Sequence, residues 1–352
     1  MKQGLAAVAA AFTVAMAMVL PAQAAPEPCK LGLVAELEVR ISQGGAVAIP
    51  AQVANHDVWF ALNTNNMAPA LFQSGVAALG LTPKPIIDHA ATGSHTRKDE
   101  THIFRGDKPV DMEVSLQSFT LGRATVGSWV AVVLPDTDRP LGYIDGKPIV
   151  GIMGTQLFKL VDVELDLANH KMRLFNANQC KDSPVYWGGE FTSEKLVLDA
   201  NGAMHFVMEL DGKNVDTGLL NGLRAASLDA TAARQYYNLD EKSSAITHDE
   251  PGMPGASYAA MSLSAAGLNV RSARVRILDE LGQKCGVART GGKDGGIQYA
   301  KCRGSTPFSM GSAMVEKLRI YVAGSQEKIY ISRATPAGAG DAAADGKAGA
   351  TP

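Results

Sequence analysis

Three stretches of the chain hold residues whose types and spacing could do chemistry. Asp216-Thr217-Gly218 puts a carboxylate just before Leu219-Leu220, and Asn63-Thr64-Asn65 puts a polar triplet after the apolar run "VWFAL". A carboxylate can serve as general acid or base, and an amide can only hydrogen-bond. His89, His95 and His102 alternate with acids in "DHAATGSHTRKDETH", the residue types that bind zinc or a harder ion. Their spacing fits no standard ligand pattern, so this stretch reads as a solvated loop and no metal or cofactor is expected. Ser243, Ser244, His248 and Asp249, and the scattered Ser74 and Ser94, contain the parts of an acyl-transfer site but lack a nucleophile elbow. The glycine and basic residues of "ATGSHTRKDE" lack P-loop spacing.

The elements that must position these residues come in two copies. Residues 157 apart match along the chain: Gly45 with Gly202, Ala46 with Ala203, Val58 with Val215, Leu62 with Leu219, Leu71 with Leu228, Gly154 with Gly311 and Lys171 with Lys328. Apolar character persists where identity does not. Val161, Val163, Leu165, Met172 and Leu174 fall on Leu318, Ile320, Val322, Ile329 and Ile331. Each copy opens as a β-meander, with turns expected at Gln43-Gly44-Gly45 and Asn55-His56-Asp57 in the first and at Asn201-Gly202 and Asp211-Gly212 in the second. Each closes with a short helix before two alternating strands. Trp59, between Val58 and Phe60, is expected in the core.

The 352 residues, 46% hydrophobic with a formal charge of −2, suffice for two lobes with proper cores and suggest neither nucleic acid nor an anionic membrane as partner. The first 24 residues, "MKQGLAAVAAAFTVAMAMVLPAQA", carry one Lys, an apolar run and Ala22-Gln23-Ala24, the pattern of a cleaved export signal. The run is short for a membrane anchor, no other segment could span a bilayer, and a periplasmic or secreted location follows. Cys29, Cys180, Cys285 and Cys302 all lie beyond the signal, and an even count in an exported chain favours disulfides. Three pairings are open. A clamp between Cys285 and Cys302, leaving Cys29 with Cys180, is the simplest, and the short loop would contribute about 3 kcal/mol. The expected plan is a lobe over 29–180, a linker over 181–189, a lobe over 190–332 and a disordered tail over 333–352.

A meander that ends in an apolar strand and a polar triplet, followed by Leu71 and then by Gly154 and "DVELDLANHKMRLF", resembles the bacterial retropepsin-like aspartic proteases. Because it occurs twice, the whole looks like a fused two-lobe form, pepsin-like in plan. The resemblance implies a mainly β fold of two homologous aspartic-protease-like lobes with a short helix in each. It also implies an Asp-Thr-Gly triplet from each lobe at a shared cleft. Asn63 stands where the first Asp belongs and cannot take a proton from water, and Asn65 replaces the glycine. Under the constant shift, Asn63, Thr64 and Asn65 correspond to Leu220, Asn221 and Gly222, while Asp216, Thr217 and Gly218 correspond to Trp59, Phe60 and Ala61. The conspicuous "DTG" is then strand rather than turn, since register in a strand with one buried face is hard to slip.

The expectation is therefore an exported pseudoprotease whose cleft floor, formed by Asn63, Thr64, Asn65, Leu220, Asn221 and Gly222, holds an extended polypeptide or envelope partner. An active aspartic endopeptidase using Asp216 and a structural envelope protein are the alternatives.

Overall fold

In a computed structural model, residues 30–65, 68–86, 104–105, 108–109, 112–136, 141–180, 185–187, 190–199, 202–240, 242–250, 253–265, 268–278, 285–289, 298–302 and 306–336 are described. The expected signal segment, Cys29 and the three loop histidines lie outside them. In the first meander, strand Val47–Val53 pairs antiparallel with His56–Leu62. Their tight turn is Ala54-Asn55, both at positive φ, one residue before the expected position, so His56 and Asp57 already belong to the strand. In the second, Met204–Leu210 pairs with Lys213–Gly218 across Asp211-Gly212, where positive φ favours the Asp-Gly pair.

Each meander is then closed by a strand from far along the chain. Lys147–Met153 runs parallel to His56–Leu62 and antiparallel to Ala70–Phe72. Phe308–Ser309 relates in the same way to Lys213–Gly218 and Ala226–Asp229. The pairs Phe60 with Gly151 and Thr217 with Phe308 lie 157 residues apart, so the repeat holds at the level of strand register. Phe60, Leu62, Leu71, Leu116 and Phe119 pack the first lobe, with the Phe60 and Phe119 rings edge to face at 5.8 Å. Trp59 is half-buried and lies on the other face of its strand, against the small cluster Ala46, Ala48, Ala61, Ile144 and Ile149.

The mainly β, two-lobed plan is as expected, with one addition. The expected short helices are Gln156–Leu160 and Ser312–Val315, and each lobe has a second helix, Gln73–Ala78 and Ala230–Tyr237. Asp229 caps the latter, accepting from the Thr231 and Ala232 amides.

A six-stranded sheet joins the lobes, three strands from each, through the antiparallel pair Val161–Asp166 and Leu318–Ala323. Glu164 faces Tyr321 directly, and the two are repeat partners, so a pseudo-two-fold axis passes between them. The buried Glu164 carboxylate accepts from Arg173 at 2.6 Å, from Arg319 and from the Tyr186 hydroxyl. Tyr186 and Trp187 come from the inter-lobe connection, and Trp187 Nε1 donates to Ser332 Oγ. Beside them the buried Asp162 accepts from the Tyr321 hydroxyl through one oxygen, while its other oxygen has no partner. The last strand ends at Arg333, and the Ala334 amide donates to Lys317 O, so ordered structure runs past the expected tail boundary.

Cys180 is disulfide-bonded, and Cys285 stands directly opposite Cys302 in an antiparallel pair. Among the described residues no helix is long and apolar enough to cross a membrane.

Candidate functional site

Where strand His56–Leu62 ends, the chain turns through Asn63-Thr64-Asn65 against lobe 2. The Asn63 amide donates to Met153 O at 2.9 Å, and Asn63 Oδ1 accepts from the Asn65 amide at 2.7 Å, so the side chain closes its own turn. Thr64 is fully buried. Its hydroxyl accepts from the Leu220 amide at 2.9 Å and donates to Leu220 O at 3.2 Å, while its carbonyl accepts from the Met204 amide. One side chain of lobe 1 thus holds lobe 2 by its backbone.

Lobe 2 repeats the turn around Asn221. The Asn221 amide donates to Met310 O at 3.1 Å, and Asn221 Oδ1 accepts from the Leu223 amide at 2.8 Å. Met153 and Met310 are 157 residues apart, but Asn63 and Asn221 are 158 apart. This corrects the expected counterpart: Asn221, not Leu220, occupies the place of Asn63. One extra residue enters after Leu219 and is absorbed before Ser227, which again matches Ala70 in register. An insertion in a turn leaves the strands alone, whereas one inside a strand would turn its apolar face outward. Leu220 buries its side chain in the core and contributes only its backbone. Gly222, at φ +74°, takes the place of Thr64, so the hydroxyl grip runs one way only.

Asp216 stands apart from this frame. It lies within strand Lys213–Gly218, is buried, and bonds His205 Nδ1 at 2.6 Å. The repeat partners of this pair in lobe 1 are Trp59 and Ala48. Sequence reading missed His205, although the Asp211-Gly212 turn signal fixes the hairpin register that brings it beside Asp216.

The frame borders a pocket of about 270 Å³ whose polar lining is Asn65, Asn221, Ser227, Asp229, Thr306 and Ser309. Two of its hydroxyls pack closely on Gly218, where a Cβ would stand 2.8 Å from Ser309 Oγ and 3.0 Å from Thr306 Oγ1. Asn221 Nδ2 is already committed to Ala225 O and Ser227 Oγ. Of the residues expected on the floor, Asn65 and Asn221 line this pocket, and Asn63 and Thr64 form the turn beside it. Ser227, Asp229, Thr306 and Ser309 carried no local motif, and only long-range strand pairing brings them together. Amides and hydroxyls can donate to and accept from a peptide-like ligand. Asp229 is the sole carboxylate among the described lining residues, and it holds the helix terminus.

No known protein family matches the chain, and no curated protein matches it either. Solved structures similar to it include the basic 7S globulin from soybean, at 11% identity and a TM-score of 0.46, over 87% of this chain and 95% of that one. Another is the aspartic proteinase from Irpex lacteus, at 11% identity and a TM-score of 0.48, over 88% of this chain and 99% of that one. Likeness at this level assigns no residue a role, and the two-lobed plan stands on the chain's own strand pairing.

Proposed function

We propose that the chain is an exported, non-catalytic relative of the aspartic proteases that binds an extended polypeptide or envelope partner between its lobes. The observation that carries this reading is that Asn63 and Asn221 occupy equivalent turns with equivalent hydrogen bonds. The chemistry needs two acids sharing a proton at these places, and an amide can neither activate water nor protonate a carbonyl. Asp216 does not replace them in this reading, because its carboxylate is spent on His205 within a strand. The pocket lining of amides and hydroxyls favours a ligand that offers backbone N–H and C=O groups in turn.

Two measurements test the proposal. The mature chain is incubated with denatured casein and a random-peptide library between pH 3 and pH 7, with no cleavage expected. Cleavage that disappears in Asp216→Asn would establish the endopeptidase alternative and refute the reading. Selection of a random-peptide library on the immobilised chain is expected to enrich sequences that lose binding to Asn221→Leu or Ser227→Val. Failure to enrich any such sequence would favour a purely structural role.

A further inference from the structure

Lobe 2 carries another cavity, of about 630 Å³, lying between helix Ala230–Tyr237, the loop that follows it, and strands Met253–Ala265 and Leu268–Leu278. Apart from Leu278, its lining is distinct from that of the pocket beside Asn221. One part of the wall is apolar, formed by Leu239, Ile246, Ile277 and Leu278. The rest carries Arg234, Lys242 and Arg276 against a single described carboxylate, Asp240. An Asp240 oxygen accepts from the Lys242 backbone amide.

None of the three cations forms an ion pair with a described residue, and Arg276 Nε is buried without a hydrogen-bond partner. Arg274, two positions away on the same strand, contrasts with it, because its guanidinium rests on the Tyr258 ring at 4.1 Å. A buried guanidinium N–H without an acceptor is costly, and native structures rarely keep one. In a chain of net charge −2, three such cations against one carboxylate are a local excess among the described residues that line this apolar hollow.

We propose that this cavity binds a small organic oxyanion. Its apolar body would lie on Leu239, Ile277 and Leu278, and its carboxylate or phosphate would accept from the part-buried Arg276 guanidinium that lines the cavity. Arg234 and Lys242, both exposed, would add charge at the mouth. The site is independent of the polypeptide-binding proposal and uses no residue of the Asn63 and Asn221 turns.

Isothermal titration of the mature chain with phenyl phosphate, benzoate, inorganic phosphate and benzyl alcohol, at one ionic strength, tests it. Saturable binding of phenyl phosphate or benzoate is expected, and their ranking identifies the preferred head group. Benzyl alcohol, which lacks the charge, should not bind measurably, and inorganic phosphate, which lacks the body, should bind more weakly than phenyl phosphate. Arg276→Gln should weaken binding at least tenfold, with incomplete recovery in Arg276→Lys, whose ammonium cannot reproduce the guanidinium geometry. Arg234→Gln, on an exposed helix face, should weaken it severalfold and decides the matter if Arg276→Gln does not fold. Absence of saturable binding by both aryl anions would overturn the proposal, as would equal affinity for benzyl alcohol or unchanged affinity in a folded Arg276→Gln.

Discussion

Replacing Thr64 by Val tests the idea that one hydroxyl couples the lobes. Valine keeps the shape and the buried apolar surface but removes the donor to Leu220 O and the acceptor for the Leu220 amide. Thr64 and Leu220 are both buried, so water cannot readily replace either bond. A buried backbone group left unsatisfied costs about 1–3 kcal/mol, and the two losses share one site, so about 2–4 kcal/mol is expected for the pair. Thr64→Ser keeps the hydroxyl and loses one methyl, which costs about 1 kcal/mol. Urea unfolding followed by tryptophan fluorescence and far-ultraviolet dichroism should show a falling midpoint with little change in slope, in the order wild type, Ser, Val. If Val is as stable as wild type, or no worse than Ser, the hydroxyl does not hold lobe 2 and the coupling argument fails.

Asp216→Leu should lower stability by about 1–3 kcal/mol, because it leaves the buried His205 Nδ1 without its hydrogen-bond partner. Denaturant titration reads the loss. Burial pushes the Asp162 carboxyl up to about 6, against the opposing Tyr321 hydrogen bond. A folded pKa above the unfolded value makes its contribution full below about pH 4 and lost as pH rises through about 6. Asp162→Asn should therefore gain about 2–3 kcal/mol on wild type between pH 4 and pH 7, visible as a melting-temperature difference that opens with pH. Gly45→Ala would place a Cβ 1.9 Å from the Arg224 amide at φ +92°, so a loss of about 2–4 kcal/mol is expected in thermal unfolding as the lobes are pushed apart.

Much of the fold was legible because buried strands constrain sequence strongly. The 157-residue shift tracks positions such as Phe60 with Thr217 and Leu71 with Leu228, whose neighbours across the sheet are themselves repeated. The same shift misplaced the Asn63 counterpart by one residue, because turns can gain a residue without disturbing register. Asn221 was nonetheless detectable from chemistry. Asn63 and Asn221 each accept from the amide two residues on, the turn-forming habit of Asn, and pairing the two asparagines by type would have exposed the insertion. The helices Gln73–Ala78 and Ala230–Tyr237 escaped notice because both are short and neither presents a long apolar stripe. The pocket lining was illegible for another reason. Ser227, Thr306 and Ser309 meet only when the closing strand Phe308–Ser309 docks, and no local pattern records that pairing.

The two lobes also differ in a way that the shared core conceals. On one face of the first hairpin stand Ala48, Trp59 and Ala61, which join a small apolar cluster with Ile144 and Ile149. At the matching places of the second stand His205, Asp216 and Gly218, a buried hydrogen-bonded polar pair beside a glycine against which Ser309 and Thr306 pack closely. The opposite faces of the same strands pack the core in both lobes, with Leu62 answered by Leu219 and Phe60 by the buried Thr217, whose hydroxyl donates to Val215 O beside Phe206 and Val215. One face of each hairpin is thus held to packing while the other is free to change chemistry, because burying a polar pair there requires only that its members satisfy each other. That freedom explains how lobe 2 carries a conspicuous "DTG" unrelated to its turn. The carboxylate answers a histidine two strand positions away, and the turn that follows is built on an amide.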